Sequence, residues 1–126
     1  MILLLDENMP PRVADALHAL GTVEAYHVTK YLPRGAPDVD VFAFLQDRPD
    51  WILVTQDAMI RRRKQELAAL KSAGVGAFIL TGSVDRNVES MLAFLADALD
   101  GMRKHATTRR PFIFSISDRK RFERID

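Results

Sequence analysis

The chain has no cysteine. Disulfide frameworks and thiolate metal sites are excluded with it. Histidine is scarce: His18, His27 and His105 lie far apart and show no ligand spacing, so none of them is read as catalytic. Long apolar runs are also missing. None approaches the ~20 residues needed to cross a bilayer, and the opening "MILLL" has no basic segment ahead of it, as a signal peptide would. The expected compartment is therefore the cytoplasm, with no membrane partner. There is no low-complexity segment, internal repeat or linker, so one domain over residues 1–126 is expected. Bulk charge is small, at +1, and by itself implies no polyanionic partner.

What the chain does have is alternation. Residues 1–5, 23–28, 51–55, 75–80 and 111–117 read as strands, several of them apolar on both faces. Between them lie helical patterns. Asn8 reads as the N-cap of the first helix, with Pro10 and Pro11 in its first turn and Gly21 as its stop. Asp38 starts a second. A third runs from Gln56-Asp57 to about Ser72, with Gly74 as its stop. The longest, over 84–104, repeats Val88, Met91, Leu92, Leu95, Ala98, Leu99 and Met102 at helical spacing. The tail after 117 is charged. Strands alternating with helices indicate α/β architecture, a parallel sheet covered on both faces.

Acids stand where the strands end. Asp6 and Glu7 follow the first strand and Asp57 follows the third, while Asp38 opens a helix that a short loop can bring to the same edge. Ligands of open α/β sheets bind beyond the carboxyl ends of strands. Clustered carboxylates repel one another unless a cation sits among them. An all-oxygen set suits Mg²⁺ or Mn²⁺, which can activate water against a phosphodiester. Taken singly, Asp38 and Asp57 are natural helix caps, and Glu7 reads as the partner of a surface arginine. Asp6 is harder to explain without a site, because a buried strand should not end in an unpaired charge. Thr55, two residues before Asp57, is positioned to hydrogen-bond a carboxylate or a metal-bound water. Asp40 and Asp47 read as helix exterior.

Basic residues cluster at 61–64, 103–110 and 119–124, which suggests an acidic locus in basic surroundings. Arg61, Arg62 and Arg63 begin one turn after Asp57, close enough to hold a phosphate backbone. Tyr26 and Tyr31 could stack on bases, with a core or loop role as the simpler reading.

The stretches "LLLDENMPPRVADALHALG", "GAPDVDVFAFL" and "WILVTQDAMIRRRKQELAALKSAGVGAFIL" resemble PIN-like domains, above all the branch of VapC-type toxins from toxin–antitoxin pairs. An Asp-Glu-Asn, a Gly-x-Pro-Asp, a Thr-x-Asp and an arginine run recur there in this order. The resemblance implies a three-layer α/β/α sandwich around a mainly parallel sheet. It also implies a divalent-metal ribonuclease, restrained by a cognate antitoxin and often a homodimer. Carried over by position, Asp6, Asp38 and Asp57 are the catalytic, metal-binding acids, and Glu7 is a fourth ligand. Arg61, Arg62 and Arg63 become the RNA contacts, supported at the site by Asn8 and Thr55. One position departs: Met59 stands where many PIN domains carry a further acid. That departure favours an alternative, a non-catalytic RNA- or partner-binding module on the same fold. A third possibility is a phosphoacceptor receiver with Asp57 as acceptor and Thr81 as its hydroxyl. It lacks the lysine expected at the end of the fifth strand and leaves Asp38 and the arginine run unexplained.

Overall fold

A computed structural model describes residues 1–56, 64–82 and 87–125. Its strands are β1 (Ile2–Leu5), β2 (Glu24–His27), β3 (Trp51–Gln56), β4 (Gly76–Leu80), β5 (Phe112–Ile116) and β6 (Phe122–Arg124). Its helices are α1 (Pro11–Ala19), α2 (Asp38–Gln46), α3 (Lys64–Ala73) and α4 (Val88–His105), with a 3-10 turn at Val28–Lys30. They form one six-stranded sheet in the order β2-β1-β3-β4-β5-β6. The first five strands pair in parallel, and β6 joins β5 antiparallel.

Strand geometry explains the layers. Successive side chains point to opposite faces. Leu3, Leu5, Ile52, Val54, Phe78 and Leu80 therefore share one core with Val13 and Leu17 of α1 and Met91, Leu95 and Met102 of α4. Leu4, Leu53, Ala77 and Ile79 share the other with Val41 and Leu45 of α2 and Leu70 of α3. The result is the three-layer α/β/α arrangement around a mainly parallel sheet. No helix among the described residues is long and apolar enough to cross a membrane.

The crossovers are not all of one hand. β3–α3–β4 and β4–α4–β5 step the same way across the sheet, yet α3 and α4 lie on opposite faces. Their hands must therefore be opposite. The β1–α1–β2 and β2–α2–β3 connections share the hand of the α3 crossover. The α4 connection is the exception to a rule that parallel crossovers obey in about 98% of cases.

Two readings of the sequence need correction. Asn8 is not the cap of α1: the helix begins at Pro11 with Pro10 before it and no side-chain cap. Two consecutive prolines fix the backbone for a helical start without one. The strand at 111–117 is not the last, because the charged tail adds β6 to the five strands read from the sequence. Ser117 N–H reaches Arg121 O, Lys120 takes φ 59° in the turn, and Phe122 packs against the core shared by α1 and α4. One apolar residue among charges carried no strand period.

Gly76 opens β4 directly over the ring of Phe112, which is fully buried. A Cβ there would sit 2.5 Å from Phe112 Cζ and 2.7 Å from Cε2. Gly76→Ala is expected to destabilise the fold by about 1–3 kcal/mol through overpacking, read as a lower urea midpoint at unchanged slope.

Candidate active site

Strand order reverses between β1 and β3, since the chain goes from β1 out to β2 and returns on the far side of β1. This is the switch point at which an open parallel sheet leaves a crevice beyond its strand ends. Asp6 stands there. Its N–H continues the ladder to Val54 O at 2.9 Å. Its Oδ2 accepts from Thr55 Oγ1 at 3.0 Å, and its Oδ1 accepts from the Glu7 N–H at 2.8 Å. Thr55 is 7% exposed, so its hydroxyl is a buried donor with a fixed target. That proton can also reach Asn8 Oδ1 at 3.3 Å. The charged and nearer carboxylate is the stronger acceptor.

Asn8 closes the turn onto β3. Its Nδ2 donates to Thr55 Oγ1 at 3.0 Å and to Gln56 O at 2.7 Å, and its Oδ1 accepts from Gln56 N–H at 3.3 Å. The side-chain amide thus pairs with both backbone groups of one residue, as a further strand would. From the other side, His27 at the end of β2 donates Nε2–H to Met9 O at 2.7 Å. A carbonyl can only accept, so the proton sits on Nε2. Nδ1 then accepts from the Thr29 hydroxyl at 2.7 Å and its N–H at 3.3 Å. Met9, 1% exposed, plugs the core beneath. The turn over residues 6–9 is held from both neighbouring strands. The clamp role of His27 was missed because nothing in the sequence places β2 beside this turn.

Among the described residues, the partner found for Glu7 is a backbone group and not an arginine. Its Oε1 accepts the Gly35 N–H at 2.8 Å, and Gly35 takes φ 74°, a conformation that favours glycine. This bond ties the loop leading into α2 to the site. Asp38, three residues on, is not a side-chain cap either, since Pro37 precedes α2 and no side-chain cap bond forms. Asp38 and Asp40 are exposed in the first turn of α2, where the positive end of the helix dipole favours them. Asp38 borders an apolar groove of about 480 Å³ between α2 and α3, with Val39, Phe42, Glu66 and Ala69.

Asp57, Met59, Arg61, Arg62 and Arg63 lie outside the described residues. Among the described residues, no three His, Cys, Asp or Glu side chains are grouped as a metal would require. The oxygen chemistry of Asp6 and Glu7 suits a hard cation, and Asp6 keeps lone pairs beyond its two hydrogen bonds.

The basic cluster at 103–110 is placed at the opposite edge of the sheet. Arg103 donates to Thr22 O just before β2, and Arg110 to Trp51 O at the start of β3. They line a cleft of about 720 Å³ with Glu24 and Asp50. Burial draws the Arg110 guanidinium below its ordinary pKa, and Asp50 opposes that effect.

Comparison with known families agrees with this geometry. The model of the family described as "PIN like domain" matches residues 1–82. The chain belongs to the PIN-like domain family, a nuclease-type fold. Neither a curated protein nor a solved structure matches it significantly.

Asn8→Ala is expected to cost about 1 kcal/mol, the net worth of its lost hydrogen bonds. Asn8→Asp should cost more at pH 7. It sets an acceptor against Gln56 O and a second charge beside Asp6. Protonation restores a donor, so the gap between the variants should close as pH falls below about 4. Urea denaturation of both variants at pH 7 and at pH 4 measures it.

Proposed function

We propose that this protein is a divalent-metal-dependent endoribonuclease. The observation that carries the reading is Asp6, fixed at the switch point of the sheet by the Thr55 hydroxyl and by the Asn8 clamp. Family membership supports nuclease chemistry in general. The all-oxygen donor set supports Mg²⁺ or Mn²⁺ over softer ions.

Asp6 and Asp57, which follow the adjacent strands β1 and β3, would hold the cation. Glu7 would join from the same turn as Asp6, and Asp38 from the start of α2, whose entry loop Glu7 anchors at Gly35. A bound cation supplies activation of water and charge neutralisation at the phosphodiester. Thr55 orients one oxygen of Asp6 and leaves the other side of that carboxylate for the site. Asn8 and His27 keep the turn from moving, so that Asp6 is set in advance of substrate. Arg61, Arg62 and Arg63 follow β3 and would take the RNA backbone, neutralising phosphates without regard to base. The order of the four motifs further supports assignment as the toxin of a VapC-type pair, acting in the cytoplasm, held by a cognate antitoxin and able to form a homodimer. A second reading, a PIN-like module that binds without cutting, is favoured by Met59 in place of an acid.

Purified protein with Mn²⁺ or Mg²⁺ is expected to cut single-stranded RNA. EDTA should stop the reaction, and Asp6→Asn should reduce it by at least about 100-fold, as for loss of a metal-site group. A folded, antitoxin-free protein that cuts none of several RNAs would favour the binding module.

A further inference from the structure

Away from the acids, four aromatic rings from three parts of the chain meet on the face covered by α2. Tyr26 of β2 stacks on Trp51 of β3, with centroids 5.5 Å apart and planes at 25°. Tyr31 stands edge-on to both, at 5.8 Å and 84° from Tyr26 and 5.6 Å and 78° from Trp51. Phe44 of α2 closes the group at 5.2 Å from Tyr31 and 5.5 Å from Trp51. Tyr26, Phe44 and Trp51 pack against the core behind them, but Tyr31 is 41% exposed. Two cations flank the rings. Lys30 Nζ lies 4.7 Å from the Tyr26 centroid and 5.9 Å from that of Tyr31, and Arg48 Cζ lies 3.7 Å over Phe44.

An aromatic group needed for the core alone would be covered. Here one ring is presented to solvent, immobilised by three others and bordered by positive charge. Its ordering cost is met in the free protein, so a planar ligand with a nearby anion would bind it at little further entropic cost. An unpaired base with its phosphate has that chemistry, and stacking of this kind is tolerant of sequence. The same loop leads to the candidate active site. Gly35, four residues after Tyr31, donates to Glu7 beside Asp6, and four residues span at most about 14 Å. Exposed Arg34 lies between them.

We propose that Tyr31, backed by Tyr26, Phe44 and Trp51 and flanked by Lys30 and Arg48, is a stacking platform for an unpaired base of single-stranded RNA entering the Asp6 site. The choice of RNA rests on the nuclease reading. The platform selects unpaired over duplex substrate, because a base inside a duplex offers no free face.

Trp51 is the only tryptophan, which makes its emission a local reporter. Full-length protein is titrated in EDTA with a labelled single-stranded RNA, with anisotropy read for affinity and Trp51 emission for contact. Tyr31→Leu keeps an apolar side chain but no aromatic face, and Tyr31→Phe keeps the face. The expected result is quenching by the single strand, binding about tenfold weaker in Tyr31→Leu, near-wild-type binding in Tyr31→Phe, and weak binding of the matching duplex. Equal binding by folded Tyr31→Leu and wild type, equal binding of duplex, or no binding by wild type would each overturn the platform. Binding that depends on Tyr31 in a protein that never cuts RNA would retain the platform and discard the nuclease.

Discussion

The structure around the acids depends on one lateral tie, the bonding of the turn after β1 to the last residues of β3. Parallel neighbours diverge once their ladder ends, and at a switch point no crossover helix closes the gap between them. Here the ladder is prolonged by side chains. Asp6 still donates its N–H to Val54, Thr55 donates to Asp6, and Asn8 pairs with the backbone of Gln56 in the manner of a strand residue. The seam fixes the floor of the switch point. The Thr55 hydroxyl, the buried polar group of the seam, donates to Asp6 and accepts from Asn8, which is what lets it lie inside.

The neighbouring elements extend that constraint outward. His27 holds the same turn from β2, so the order β2-β1-β3 is stitched across at its C-terminal end by side chains from all three strands. Glu7 then passes the constraint to the loop before α2. A single turn thus sets Asp6, the entry to α2 and the loop bearing Tyr31. The opposite hand of the α4 crossover has a related effect. It places α4 beside α1 and leaves the other face to α2 and α3, where an apolar groove persists between them.

Much of the fold was legible because its signals were local. Apolar runs ending in an acid marked β1 and β3, and the period of α4 named its buried face, with Met91, Leu95, Ala98, Leu99 and Met102 all buried. Asp6 was legible as well, since a charge at the end of a buried strand demands a partner. What was not legible depends on which strands become neighbours. Asn8 looked like a cap because its local sequence allows one, and its actual partners lie 47 and 48 residues away. Glu7 and His27 likewise act on backbone groups that no spacing rule connects to them. β6 was hidden because three residues with one apolar side chain carry no period.

Charge placement follows from the same geometry. Sequence alone suggested acids ringed by basic clusters, but Arg103 and Arg110 are spent at the far edge, satisfying carbonyls where β2 and β3 begin. A half-buried guanidinium bound to a carbonyl and facing Asp50 serves to close the sheet's N-terminal end. It has little field to offer a phosphate at the other end, some four to six residues of strand away and beyond a Debye length of about 8 Å at physiological salt. Steering of a polyanion toward Asp6 therefore falls to the cations near the C-terminal edge. Among the described residues those include Lys30 and Arg34 in the loop that Glu7 anchors. Both follow β2, the strand beside β1, and Gly35 just after Arg34 bonds to Glu7, so their charge lies toward the end of β1 where Asp6 stands and not toward the end that Arg110 closes.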